Sequence, residues 1–182
     1  MGLRGRTLYP EPECLFVTTT CYQWYHLLAR DSCKRIVADS INFLNQKYAS
    51  FLLGYVIMPN HIHLILFFKN GNRLSDWMRD LKKFTSVKVR QQIEGDGDYA
   101  LLESLRIDYR KQVFEVWEDR FDDVILSNSK LLETKLNYIH TNPMQEHWNL
   151  VSKPEDYKFS SASFYEIEDL GNLTITHYKD YL

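Results

Sequence analysis

Hydrophobic residues gather along this chain in runs short enough for strands, and elsewhere recur at spacings that fit helices. Residues 14–20 are β-branched and aromatic, which suits a strand. Asp31 or Ser32 is placed to cap a helix running to about Tyr48, with Ile36, Val37, Ser40, Ile41 and Leu44 near one face. Residues 51–57 and 61–68 are two apolar runs joined by a turn at Pro59-Asn60, the pattern of a β-hairpin. After a turn over residues 69–72, the chain from Leu74 to about Gln92 takes up the helical period. Leu74, Trp77, Met78, Leu81, Phe84 and Val87 form the stripe predicted to face the core.

The second half is less regular. Residues 94–98 alternate acid and glycine and read as a loop, residues 101–110 and 113–117 offer one or two further strands, and Asp122-Asp123 reads as a turn. Asn128 or Ser129 is suited to cap a helix that Pro143 stops, because proline disfavours helical geometry in the residue before it. Leu132, Leu136 and Ile139 supply its buried face, and Lys135, Tyr138 and Asn142 fall along another edge, read as exposed and polar. No repeat or linker divides the chain, so residues 1–182 are read as one domain, with residues 154–182 packing onto the same core.

One interruption of the apolar pattern carries chemistry. In the second hairpin strand, His61 and His63 are two residues apart and share a face, while Ile62 points into the core. Two imidazoles on an apolar hairpin are costly unless bonded or liganded, and convergent imidazoles make a metal site. Tyr138 by spacing alone is more simply one of 12 tyrosines, most of which pack half-buried with one hydroxyl partner.

Composition narrows the class. A chain of 182 residues with 45% hydrophobic and 14% aromatic content is folded and long enough for a substantial core. Residues 1–10 are polar and basic without an apolar signal segment, and the longest apolar stretch is broken at residues 58–63, so no membrane span is expected. Cys14, Cys21 and Cys33 lack paired spacing, which suits reduced thiols in a bacterial-type cytosol. The net charge of −2 does not announce a nucleic-acid binder, but residues 73–90 carry six Lys or Arg against two Asp. Arg79, Lys82, Lys83 and Arg90 lie in one sector of that helix, as phosphate contacts or as a solvated face.

Five segments, in order, carry a resemblance: Met58-Pro59-Asn60-His61-Ile62-His63-Leu64, the helix from Leu74 to Ser86, Trp117-Glu118-Asp119-Arg120-Phe121, Tyr138-Ile139-His140-Thr141-Asn142-Pro143, and Pro154-Glu155-Asp156-Tyr157 with Ser160-Ser161-Ala162. Together, across residues 14–165, they resemble the REP-associated tyrosine transposases. These are relatives of the single-tyrosine insertion-sequence transposases among the HUH (His-hydrophobic-His) endonucleases.

The resemblance implies an α+β fold, RRM-like or ferredoxin-like: an antiparallel sheet with helices packed on one face and the catalytic tyrosine on a C-terminal helix. It further implies that His61 and His63 hold a divalent metal, Mg²⁺ or Mn²⁺, which acts as a Lewis acid on a scissile phosphate of single-stranded DNA. Tyr138 matches the nucleophile that forms a 5′-phosphotyrosine. Phenols ionise only near pH ~10 in water, so the metal or Lys135 would have to assist. Asn142 stands where the family places a polar side chain that completes the metal shell or positions phosphate; helix termination is the rival reading. His140 points away from this edge and is assigned no catalytic part.

Arg79, Lys82, Lys83, Arg120 and Lys135 are candidate contacts to the DNA, and unpaired bases would stack on aromatic residues that the sequence does not single out. Hairpin or palindromic DNA is the implied partner. A homodimer is left open, because the resemblance does not say whether Tyr138 serves its own histidines. Departures are the absence of glycine after the tyrosine helix, over residues 144–149, and Asp122-Asp123 in place of an aromatic and an acid. A catalytically silent DNA-binding protein of the same fold is the rival function. Histidine-triad and binuclear zinc hydrolases fall away because Leu64, Ile65 and Leu66 stand where their further ligands would be.

Overall fold

The computed structural model describes residues 13–71, 73–107, 114–169, 171 and 173–181. Its centre is a four-stranded antiparallel sheet in the order β2-β3-β1-β4, built from β1 (Glu13–Thr20), β2 (Ser50–Ile57), β3 (His61–Phe68) and β4 (Asp122–Ile125). The expected hairpin is present, and every residue of β3 is buried. Both faces of that strand are therefore covered, which is why it is apolar throughout instead of alternating.

Helix α1 (Asp31–Tyr48) links β1 to β2, and α2 (Leu74–Gly95) heads the connection from β3 to β4. β1 runs parallel to β2, and β3 parallel to β4, each pair separated by an intervening strand. With both crossovers right-handed, the opposite strand directions and opposite lateral steps place the two helices on one face. There they pack against each other, tied by Trp77 Nε1, which donates to Asn45 Oδ1 at 3.3 Å. This is the α+β, ferredoxin-like arrangement expected. The structure adds a helix across the opposite face, α4 (Ser129–Thr141), which carries Tyr138 and packs on β2.

Several sequence expectations change. Arg30, not Asp31 or Ser32, is the N-cap of α1, and no side chain bonds its first turn. On α2, Phe84 and Val87 are exposed; Thr85, Val89 and Ile93 carry the buried stripe onward from Leu81. Thr85 tolerates burial because its hydroxyl donates to Leu81 O at 2.7 Å and accepts from Trp117 Nε1 at 2.8 Å.

Residues 99–104, partly expected as strand, form the short helix α3 (Tyr99–Ser104), with Asp98 as N-cap accepting from Leu101 N at 3.2 Å. Residues 108–110 of that expected strand and Val113 of the next lie outside the described residues, as do residues 1–12 and Asn72 of the predicted turn. Phe114 and Trp117 make only single bridges, to Arg106 and Cys21. Asp122 and Asp123, expected in a turn, begin β4, a short charged edge strand that pairs with β1 on one side.

Asn128 caps α4 as expected, accepting from Leu131 N at 2.9 Å. The helix stops at Thr141, but Asn142 keeps right-handed helical geometry and opens a 3-10 turn with Pro143. Gly54 lets α4 come close: a Cβ there would lie 2.6 Å from Leu136 Cδ1 and 3.2 Å from Ile139 Cδ1. The C-terminal stretch returns to the core through Tyr157, Phe159, Ala162, Leu173 and Tyr178. The three cysteines are buried and unbonded, and no helix among the described residues is long and apolar enough to cross a membrane.

Candidate active site

β3 places the two histidines on the sheet face that α4 covers. Their ring centroids are 4.7 Å apart, and both side chains are buried. Each ring is held through Nδ1. Asn60 fixes His61: its Nδ2 donates to Trp24 O at 3.3 Å, so its Oδ1 faces His61 and accepts from Nδ1 at 2.7 Å. With the proton on Nδ1, His61 Nε2 carries a lone pair. Thr18, the register partner of His63 on β1, brings Oγ1 to 2.8 Å from His63 Nδ1. Outer partners of this kind orient metal-ligating imidazoles.

Burial also keeps both rings neutral. It pulls His61 down to about 4, with the charge on His147 adding to the effect, and His63 down to about 3, helped by His61 and Lys135. His63 Nε2 is buried with no hydrogen-bond partner. So is Asn142 Oδ1, on a residue only 2% exposed. The expected exposed edge on α4 is thus exposed at Tyr138 and buried at Asn142. The helix does end beside Asn142, and the Asn142 Oδ1 takes no hydrogen bond there.

Two neutral imidazoles and an unpartnered amide oxygen suit a divalent cation that also takes oxygen ligands from a substrate. Among the described residues no third His, Cys, Asp or Glu joins them.

Tyr138 lies against this pair within the same chain. Its ring is 5.3 Å from that of His63 at an interplanar angle of 65°, and 6.3 Å from Phe16. Phe16 in turn stacks on His63 at 5.3 Å. Lys135, one turn before Tyr138, sets its ammonium 4.6 Å from the Phe16 ring centroid and 5.7 Å from that of Tyr138. Tyr138, His61, His63 and Lys135 thus belong to one face of the fold, and Tyr138 is 41% exposed.

His140 points elsewhere, as expected. Its Nε2 lies 2.8 Å from Ser161 Oγ, which accepts from Tyr55 N at 2.9 Å and so ties α4 to β2. This tie joins two of the sequence motifs and was invisible in either alone.

Apart from Lys135, the basic candidates fall outside this site. Arg79 is exposed and paired with Asp76 and Asp80. Lys82 is committed: its Nζ donates to the carbonyls of Glu118 at 2.8 Å, Asp119 at 3.3 Å and Arg120 at 2.9 Å. Burial pulls Lys82 down to about 8, against Asp119 and Glu118, yet three acceptors match the three donors of an ammonium. Lys82, Lys83 and Arg79 line a cavity of about 580 Å³ between α2 and the 114–121 segment. Arg120 is exposed on that segment.

The aromatic rim of His61 was not read from the sequence. Trp24 lies 6.5 Å from its ring and Trp148 lies 6.0 Å away, with His26 and His147 each 5.5 Å from Trp148. Trp148 sits in the segment noted as departing from the relatives' pattern, which was the one signal available.

Residues 14–98 match the family described as transposase IS200 like. This span holds β1 to α2 and the histidine pair but stops before Tyr138. Among solved structures, a REP-associated tyrosine transposase bound to a REP hairpin shares the fold, with a TM-score of 0.63 at 20% identity over 89% of this chain and 83% of that one. A protein from Deinococcus radiodurans R1 described as a transposase aligns over 77% of this chain and 97% of its own at 15% identity, with a TM-score of 0.45. No curated protein matches the chain. The resemblance drawn from the five motifs is thereby met by a family match in its first half and by a shared fold over most of its length.

Proposed function

We propose that this chain, which carries the IS200-like transposase pattern over residues 14–98, is a single-domain transposase that cuts and rejoins single-stranded DNA through Tyr138. One observation carries the reading. The Tyr138 ring stands 5.3 Å from that of His63, whose Nε2 is buried without a partner.

In this reading His61 and His63 hold a divalent metal through Nε2, with Asn142 Oδ1 as a third ligand. A bound Mg²⁺ or Mn²⁺ would supply Lewis-acid polarisation of a scissile phosphate oxygen. The chain's own residues do the rest. Thr18 and Asn60 fix the imidazoles, and the Lys135 ammonium stands beside the Tyr138 ring, placed to meet the phosphate. The Tyr138 oxygen forms a bond to phosphorus as the P–O3′ bond breaks. The phenolic proton is given up, the departing 3′ oxygen takes one, and a 5′-phosphotyrosine remains. Attack by another 3′-OH reverses the exchange without ATP, since one phosphodiester-like bond replaces another.

The solved relative is bound to a REP hairpin, which supports a hairpin-forming palindrome as substrate. Arg79, Lys83, Arg120 and Lys135 are the proposed backbone contacts, and Lys82 acts by holding the 118–120 carbonyls that lead to Arg120. The cytosol is the proposed place of action.

The test is a denaturing gel for covalent protein–DNA adducts on labelled single-stranded hairpins drawn from repeats flanking the gene, with Mn²⁺ or EDTA. An adduct that needs metal and is lost in Tyr138→Phe supports the mechanism. Hairpin binding without any adduct would leave a catalytically silent DNA-binding protein.

A further inference from the structure

Trp24 is presented to solvent beside the histidine pair at a conformational cost. It is 63% exposed, although burying an indole would stabilise the fold, and it follows directly on Gln23, with both residues in the left-handed region at φ values of 50° and 58°. Neither is glycine, so both conformations are unfavourable and persist only because their surroundings hold them. A singly exposed hydrophobic residue needs no special account in general. Two consecutive strained residues that hold one out next to a candidate metal ligand do.

The surroundings can be followed bond by bond. Gln23 N donates to Glu118 Oε1 at 2.8 Å, Trp24 N to Cys21 O at 3.0 Å, and Asn60 Nδ2 to Trp24 O at 3.3 Å. Glu118 is itself pinned, its N donating to Thr20 O at 2.9 Å and its carbonyl accepting from Lys82. The same Asn60 side chain that takes hold of Trp24 orients His61. The Trp24 backbone is therefore in fixed register with His61, and the indole it presents lies 6.5 Å from the imidazole between ring centroids. Trp148, the other indole near His61, is half-buried between His26 and His147 and belongs to the packed wall.

We infer that Trp24 is the stacking platform for the unpaired nucleobase next to the scissile phosphate. The inference rests on the DNA-cleaving reading of His61, His63 and Tyr138 and deepens it. A phosphate seated at the two imidazoles brings a flanking base to an indole displaced from His61 by 6.5 Å, on the scale of a nucleotide. Every base offers a π-face, so the platform fixes where the strand lies and leaves sequence choice to other contacts. Trp24 is a positioning residue in this account: it touches the strand beside the reacting phosphate.

The experiment uses the full chain carrying Tyr138→Phe, so that binding is measured without cleavage. The probe is the labelled hairpin oligonucleotide on which wild-type protein maps its cut, either intact or abasic at one of the two nucleotides flanking that cut. Base–aromatic stacking is worth about five- to 150-fold in binding. Trp24→Ala is expected to weaken binding of the intact probe by about tenfold, within that range. Loss of the base on one side of the cut should weaken binding equally, and the two changes together should cost no more than either alone. Trp24→Phe should restore most of the affinity, and Tyr99→Ala, an exposed aromatic on α3, should change nothing.

Losses that multiply at both flanking positions, or wild-type affinity in Trp24→Ala on a probe that the protein cuts, would overturn this inference and leave the cleavage reading standing. Failure of the wild type to bind and cut any hairpin would overturn both.

Discussion

The Tyr138 ring meets the His63 ring edge-on at 5.3 Å within a single chain. The proposed nucleophile and the proposed metal ligand meet inside one protomer, so the proposed site needs no partner subunit to complete it. Mixtures of His63→Ala chains with Tyr138→Phe chains are therefore expected to form no covalent DNA adduct. Recovery of adduct in the mixture, read on a denaturing gel, would mean that tyrosine helices are exchanged between copies.

Imidazole suits transition metals better than it suits Mg²⁺. Mn²⁺ should support adduct formation at least as well as Mg²⁺, EDTA should abolish it, and His61→Ala or His63→Ala should not be rescued by excess metal. A metal titration with activity in Mg²⁺ alone would contradict the histidine pair as the ligand set.

In the proposed site Thr18 would act on the metal only through His63. Replacing it by valine keeps the shape and leaves His63 Nδ1 unpartnered, so Mn²⁺ affinity should fall about 10- to 100-fold. Mn²⁺ binding followed by electron paramagnetic resonance reads this without any DNA; unchanged affinity would show that the 2.8 Å contact does not set the ring.

His140 links stability to pH. Burial lowers it to about 4 in the folded chain, against about 6.5 unfolded. The unfolded chain then binds the extra proton between those values, so the His140 contribution is complete above pH ~6.5 and is lost as pH falls toward ~4, by up to roughly 3 kcal/mol. Urea denaturation in EDTA at pH 7 and pH 4.5 should show this loss, and His140→Gln should show less of it. Equal acid sensitivity in the two proteins would assign the effect to other groups.

Gly54 is the place where β2 admits α4. Valine there would push against Leu136 and Ile139, whose burial is worth about 1.5–3 kcal/mol each. Overpacking of this sort costs about 1–3 kcal/mol. Gly54→Val should lower the unfolding midpoint and reduce adduct formation more than Mn²⁺ binding, since it shifts Tyr138 and leaves β3 in place. An equal loss of both would mean that the whole sheet is disturbed.

What could be read from the sequence was whatever depended on local pattern. The β2–β3 hairpin was legible because two apolar runs flank a Pro-Asn turn, and the cap of α4 because Asn128 precedes a periodic stretch. Phe84 and Val87 misled because helical period alone does not say where a stripe drifts; Thr85 took the buried place through hydrogen bonds to partners distant in sequence. α3 was hidden because its Asp98 cap lies in an acid-glycine run that reads as loop, and β4 because a charged edge strand of 4 residues resembles a turn. At the site, His61 and His63 declared themselves by alternation, whereas Tyr138 rested on resemblance. Trp24 gave no signal, since its exposure comes from contacts with Asn60 and Glu118 far along the chain.

The placement of α4 on the face opposite α1 and α2 sets an order of manufacture. The sheet and both crossover helices are complete by residue 125, and the histidine pair well before that. The proposed nucleophile is delivered only when the ribosome has passed Tyr138, and its anchor through His140 only after Ser161. A growing or prematurely ended chain carries the proposed metal ligands with nothing to attack a phosphate. In the proposed function, strand cutting thereby becomes a property of finished molecules.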